Sequence, residues 1–118
     1  MNVVTLVGTV GRAVSFREVS GGSVADFTVK TVEYRGGREF SDYHSVVVWG
    51  KQSEDVRARS PAEGEYVEVI GRLRTRKWQD KDGSNRYRTE VNATTVQFSP
   101  VPSSAQPVAG SDSDDLPW

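Results

Sequence analysis

At 118 residues, with no cysteine and a single histidine, His44, the chain has room for one domain but lacks the side chains for disulfides, thiolate metal sites or a histidine-based catalytic triad. Fifteen Lys and Arg oppose 16 Asp and Glu, yet every basic residue precedes position 99, and three acids (Asp112, Asp114 and Asp115) fall in the last seven positions. A mildly basic body with an acidic tail points to two kinds of partner. The opening Met-Asn-Val-Val-Thr has no secretory pattern, and no apolar run approaches the roughly 20 residues of a membrane span, so a soluble cytoplasmic protein is expected.

Residues 3–10 (V-V-T-L-V-G-T-V) are rich in β-branched side chains and predict a first strand, with Gly8 and Gly11 marking a bulge or bend and a continuation towards Phe16 and Val19. Ser20-Gly21-Gly22-Ser23 is a turn. Residues 24–33 alternate as a half-buried second strand, with Val24, Asp26, Thr28 and Lys30 opposite Ala25, Phe27, Val29 and Thr31. Residues 34–38 (Y-R-G-G-R) predict a flexible basic loop, and residues 40–49 a third strand centred on Val46, Val47 and Val48. Residues 51–59 (K-Q-S-E-D-V-R-A-R) carry helix formers without strand alternation and end at Ser60-Pro61. A fourth strand over 66–77, bent at Gly71, and a fifth over 85–98 complete the body, with Phe27, Tyr66 and Phe98 expected to fill the interior. From Ser99 the composition turns to Ser, Pro, Ala, Gly and Asp, too polar to form a core. The expected organisation is an all-β domain over 1–98 and a disordered acidic tail over 99–118. Five strands, with one short helix between the third and fourth, describe the OB-fold, a small Greek-key barrel.

The stretch 72–88 (R-L-R-T-R-K-W-Q-D-K-D-G-S-N-R-Y-R) stands out. It holds seven basic residues, Arg72, Arg74, Arg76, Lys77, Lys81, Arg86 and Arg88, against Asp80 and Asp82. Asp82-Gly83 is a hairpin-tip signal. Strand alternation places Arg72, Arg74, Arg76 and Trp78 on one face. Guanidinium groups neutralise phosphates, and an exposed indole stacks on bases of any sequence. A solvated, charge-blunted hairpin edge would account for the cations, but not for a tryptophan among them. Tyr34, beside Arg35 and Arg38, adds a second candidate aromatic. Tyr43 and Trp49, on a strand with a buried centre, suit core and surface equally. Tyr87 could stack on a base or pack across the strand pair. Asp80 and Asp82 are turn residues and not a metal pair.

N-V-V-T-L-V-G-T-V-G-R at the start, D-Y-H-S-V-V-V-W-G-K at 42–51, G-R-L-R-T-R-K-W-Q-D-K-D-G at 71–83 and the terminal D-S-D-D-L-P-W together resemble the bacterial single-stranded DNA-binding proteins, the SSB family. The resemblance implies an OB-fold that assembles as a homotetramer and binds single-stranded DNA without cofactor or metal in the bacterial nucleoid or a phage-infected cell. It implies roles in DNA replication, recombination and repair. It places the stacking aromatics on Tyr34, Tyr43, Trp49 and Trp78, two of them commonly Trp where this chain has Tyr34 and Tyr43, and one commonly Phe where it has Trp49. It also places His44 near a subunit contact. The expected DNA-binding set is Tyr34, Arg35, Tyr43, Trp49, Arg72, Arg74, Arg76, Lys77, Trp78, Arg86, Tyr87 and Arg88. The family's acidic tip recruits replication and repair proteins, which assigns Asp112, Asp114, Asp115, Leu116, Pro117 and Trp118 to partner binding, with Trp118 where Phe is usual.

The alternative reading is an OB-fold RNA chaperone, distinguished by its need for 2′-hydroxyl contacts. The acidic Leu-Pro-Trp tip, which a chaperone of that kind does not need, argues against it. An enzyme is not expected, because neither a nucleophile with its base nor a carboxylate cluster accompanies His44.

Overall fold

β-Branched runs punctuated by turn residues dictate a barrel. In the computed structural model, which describes residues 1–100, the order is β1 (Val4–Val19), β2 (Gly22–Arg35), β3 (Arg38–Trp49), α1 (Lys51–Arg59), β4 (Tyr66–Gln79) and β5 (Asn85–Ser99). The strands close in the order β1-β2-β3-β5-β4, the expected OB-fold barrel. β1 is shared, its first half pairing with β4 and its second with β2, and register shifts flank the Gly11 region where it bends. All pairings are antiparallel except β3 with β5, a parallel contact of two residue pairs, Val46 with Val91 and Val47 with Asn92.

The interior is built of small β-branched side chains around one aromatic. Val29, Val46, Val48, Val67 and Val69 surround Phe27, and Phe98 meets the Phe27 ring at 5.6 Å between centroids in a tilted arrangement. α1 adds Val56 to this core. Glu54 in its first turn and Arg57 and Arg59 in its last oppose the helix dipole. Left-handed Ser60 ends it, donating its N–H to the Val56 carbonyl at 2.9 Å.

Tyr66 departs from the sequence expectation. It is 50% exposed rather than in the barrel. Val67 and Val69 occupy the inward positions of β4, so alternation turns Tyr66, Glu68 and Ile70 outward. The predicted loop over 34–38 is also shorter than expected. Gly36 and Gly37, at φ +57° and +79°, make a two-residue turn by themselves, so Tyr34 and Arg35 end β2 and Arg38 begins β3. β4 runs two residues further than predicted, to Gln79, with the expected break at Gly71 seen as a register shift against β5.

Beyond Gly71 the β4–β5 hairpin leaves the barrel as an arm, on which residues 72–79 and 81–89 are all exposed. Asn2 secures its root: the side-chain amide donates to the Leu73 carbonyl and accepts from the Leu73 N–H, each at 2.9 Å, continuing the β1–β4 ladder with a side chain. At the tip, the Gly83 N–H reaches the Asp80 carbonyl and the Ser84 N–H reaches Asp82 Oδ1, both at 2.9 Å. Residues 101–118, with the predicted tip Asp112, Asp114, Asp115, Leu116, Pro117 and Trp118, lie outside the described residues.

Candidate nucleic-acid interface

Strand register decides which side chains share a surface. On β2 and β3 the pairs Val24–Trp49, Asp26–Val47, Thr28–Ser45, Lys30–Tyr43 and Tyr34–Glu39 share the outward parity. The parallel pairing of Val47 with Asn92 carries that face onto β5, and the antiparallel pairs Arg72–Asn92, Arg74–Glu90, Arg76–Arg88 and Trp78–Arg86 carry it along the arm. A hydrogen bond of 3.0 Å from Arg88 Nη2 to Ser45 Oγ crosses the junction. Tyr34, Tyr43, Trp49, Arg72, Arg74, Arg76, Trp78, Arg86 and Arg88 therefore line one continuous front face.

The aromatics on it are open. Tyr34 is 72% exposed, Tyr43 61%, Trp49 50% and Trp78 44%. This resolves Tyr43 and Trp49, equally compatible with core and surface by sequence: β3 buries Val46 and Val48 on one face and turns these two rings out on the other. The Tyr43 ring lies flush against the β1 bend, where a Cβ on Gly11 would come 2.9 Å from its Cδ2 and Cε2, so glycine leaves the space the ring occupies. Arg76 sits 5.8 Å above the Trp78 ring.

Charge is unevenly compensated. Glu90, 4% exposed, meets Arg76 Nε through Oε2 at 3.1 Å and Arg88 Nε through Oε1 at 3.7 Å. Asp80 Oδ2 accepts from Arg86 Nε at 2.7 Å. Among the described residues, no ion pair engages Lys30, Arg72, Arg74, Lys77 or Lys81. The front face thus presents two arginines sharing one carboxylate, one arginine neutralised at the tip, and three cations with no acidic partner. At the tip the Ser84 N–H, and then its hydroxyl, hold the Asp82 carboxyl below its ordinary range.

Two expected residues lie elsewhere. Lys77 and Tyr87 are a cross-strand pair on the reverse face of the arm, with Lys77 Nζ 5.9 Å from the Tyr87 ring. A shallow recess lined by Lys77, Trp78, Gln79, Asn85 and Tyr87 joins that face to Trp78 around the arm's edge. Arg35 turns away from Tyr34 and stacks on Phe40 at 4.3 Å. The sequence reading overlooked Lys30, although its alternation along β2 already set it on the face of Val24, Asp26 and Thr28. It also overlooked Glu90 and Asn92, whose only signal was their parity with the arginines across the hairpin. His44 takes no part in this face and bonds Thr31 Oγ1 through Nε2 at 2.8 Å. Among the described residues, no cluster of His, Cys, Asp or Glu is suited to a metal, and no helix is long and apolar enough to cross a membrane.

The profile of the Single-strand binding protein family matches residues 1–99, almost the whole described part of the chain. The chain belongs to the single-strand binding protein family. Its similarity to relatives named single-stranded DNA-binding proteins covers most of the chain. It is 39% identical over 103 residues to single-stranded DNA-binding protein 3 of Clostridium acetobutylicum, covering 83% of this chain and 70% of that one. It is 37% identical to single-stranded DNA-binding protein 1 of the same organism, covering 83% and 93%, and 38% identical to a single-stranded DNA-binding protein of Clostridium tetani, covering 83% and 70%. Among solved structures, the Plasmodium falciparum SSB in complex with single-stranded DNA superposes with a TM-score of 0.70 at 26% identity, covering 86% of this chain and 96% of that one.

Proposed function

We propose that this chain binds and protects single-stranded DNA through the front face, as a binding protein and not as an enzyme, during replication, recombination and repair in the cytoplasm. The observation that carries this reading is the continuity of the face: four exposed aromatic rings alternate with cations across two hairpins, joined by the β3–β5 contact. Phosphates are neutralised by Lys30, Arg72, Arg74, Arg76 and Arg88, and bases stack on Tyr34, Tyr43, Trp49 and Trp78. Arg86, Lys77 and Tyr87 extend the path around the arm, and Arg35 extends it at the β2–β3 turn. The names of the Clostridium relatives and the bound strand of the Plasmodium protein support the same substrate.

A second surface supports self-association, with a homotetramer as the expected assembly. Val7, Tyr66 and Ile70 lie exposed on the outward side of the β1–β4 pair, an apolar patch that another copy would cover. The tip residues Asp112, Asp114, Asp115, Leu116, Pro117 and Trp118 carry partner recruitment, combining acidic attraction with an apolar terminal anchor.

The test uses the protein's own indoles. Polythymidine titrated into the full chain should quench tryptophan fluorescence, bind more weakly as salt rises, and outcompete polyuridine. Absence of quenching and binding at low salt would remove the proposal, and a preference for the ribopolymer would replace it with an RNA-binding role.

A further inference from the structure

The front face holds a group that phosphate binding alone does not require. Glu90 lies buried among arginines, with one oxygen, Oε2, on Arg76. The other, Oε1, is buried without a hydrogen-bond partner, because Arg88 Nε at 3.7 Å is too far to donate. Two residues further along the same face, Asn92 Oδ1 is also buried and unpartnered. Both residues line a recess of about 280 Å³ whose other walls are Trp49, Arg74 and Arg76. Orphaned buried acceptors are uncommon because each loses its water without a replacement donor.

A carboxylate oxygen and an amide carbonyl repel phosphate, whereas both accept from N–H groups. We propose that this recess reads a base, selecting one with an exocyclic amino group over thymine. The inference rests on the single-strand reading above. Trp49 supplies the stacking wall. Glu90 Oε1 and Asn92 Oδ1 accept from the amino group, which in cytosine is N4–H₂, at the ring position where thymine presents its O4 acceptor. In the free chain both oxygens are closed to water. Arg74 has no acidic partner among the described residues and is the movable member of the lining, and a phosphate that draws its guanidinium group outward uncovers the acceptors while Arg76 stays on Glu90. Base preference and backbone neutralisation are thereby linked at one site on an otherwise sequence-tolerant surface.

The experiment compares affinities of the full chain for deoxycytidine and deoxythymidine oligomers of equal length at one salt concentration. These pyrimidines share ring size and backbone. In Glu90→Gln the single carbonyl remains with Arg76 and the new amide N–H₂ turns into the recess, where it favours thymine O4. The ratio of dC to dT affinity should fall about threefold or more. Asn92→Ala, which removes the second acceptor without touching the Glu90 pairs, should lower the same ratio, and circular dichroism and melting identify the folded variants. A fall in the ratio in a folded variant supports base reading. Equal losses for both oligomers, with the ratio unchanged, would show that Glu90 only positions Arg76 and Arg88, and would overturn the inference. Wild-type chain that binds neither oligomer would instead remove the single-strand reading itself.

Discussion

Counting compensated charges on the front face gives a salt dependence that two substitutions should move in opposite directions. Lys30, Arg72 and Arg74 have no acidic partner among the described residues; Arg76 and Arg88 share Glu90, and Arg86 is matched by Asp80. These six cations and their two acidic partners leave about four effective positive charges, which for single-stranded DNA corresponds to a log–log slope of affinity against salt of about −2.8. Arg74→Gln removes one uncompensated charge and should flatten the slope to about −2.1. Asp80→Asn releases Arg86 from its 2.7 Å contact and should steepen the slope to about −3.5. Between 50 and 200 mM salt, each change alters the affinity ratio to wild type by about 2.6-fold. The assay is fluorescence titration with an oligomer short enough to occupy one copy of the chain. A slope unmoved by Arg74→Gln, or flattened by Asp80→Asn, would refute the assignment of compensated and uncompensated charges.

Trp78→Ala should weaken single-strand binding by about 1–3 kcal/mol, while Tyr87→Ala, on the reverse face, should cost less than half as much in the same titration; a larger effect at Tyr87 would reverse the face assignment. Deleting Pro117 and Trp118 should abolish capture of replication and repair proteins in pull-downs while leaving oligomer affinity intact, and unchanged pull-downs would reduce the tip to a solubilising tail. The Ala62 N–H and then Arg59 hold the Glu65 carboxyl below its ordinary value of 4.5, and Ser84 holds Asp82 below 3.8. Because both pKa values are lowered by folding, their stabilisation is complete above those ordinary values and is lost as pH falls through the folded ones. Melting curves of Glu65→Gln and Asp82→Asn should accordingly show a weaker decline in acid than wild type, and an unchanged decline would assign acid sensitivity to other carboxylates.

The barrel was legible because its signals are local. β-Branched runs, the Gly71 break and the helix formers before Ser60-Pro61 each act through their own backbone, and the helix limits agree with the sequence reading to the residue. Misreadings arose where a neighbour decides. Y-R-G-G-R reads as a loop by composition, yet two left-handed glycines suffice for the turn, and the flanking residues pair. Tyr66 reads as core by its apolar ring, but one position along β4 reverses its direction. The arm's arginines and Trp78 were visible from spacing alone. Their continuity with Trp49 was not, since it depends on a parallel pairing between strands some 45 positions apart in sequence. Glu90 was hidden for a related reason: an acid in a basic hairpin looks like surface until register places it between two arginines.

That short parallel pairing has a mechanical consequence. The barrel is sewn shut between β3 and β5 by two residue pairs and the Arg88–Ser45 bond, whereas its other seams run for six pairs or more. Trp49 stands on one lip of this seam, and Arg74, Glu90 and Asn92 on the other. A strand laid from Trp49 to Arg74 would act as a suture across the weakest stitch. Occupancy and barrel closure then reinforce each other, and heat or denaturant that loosens the seam would strip the ligand before it unfolds the chain.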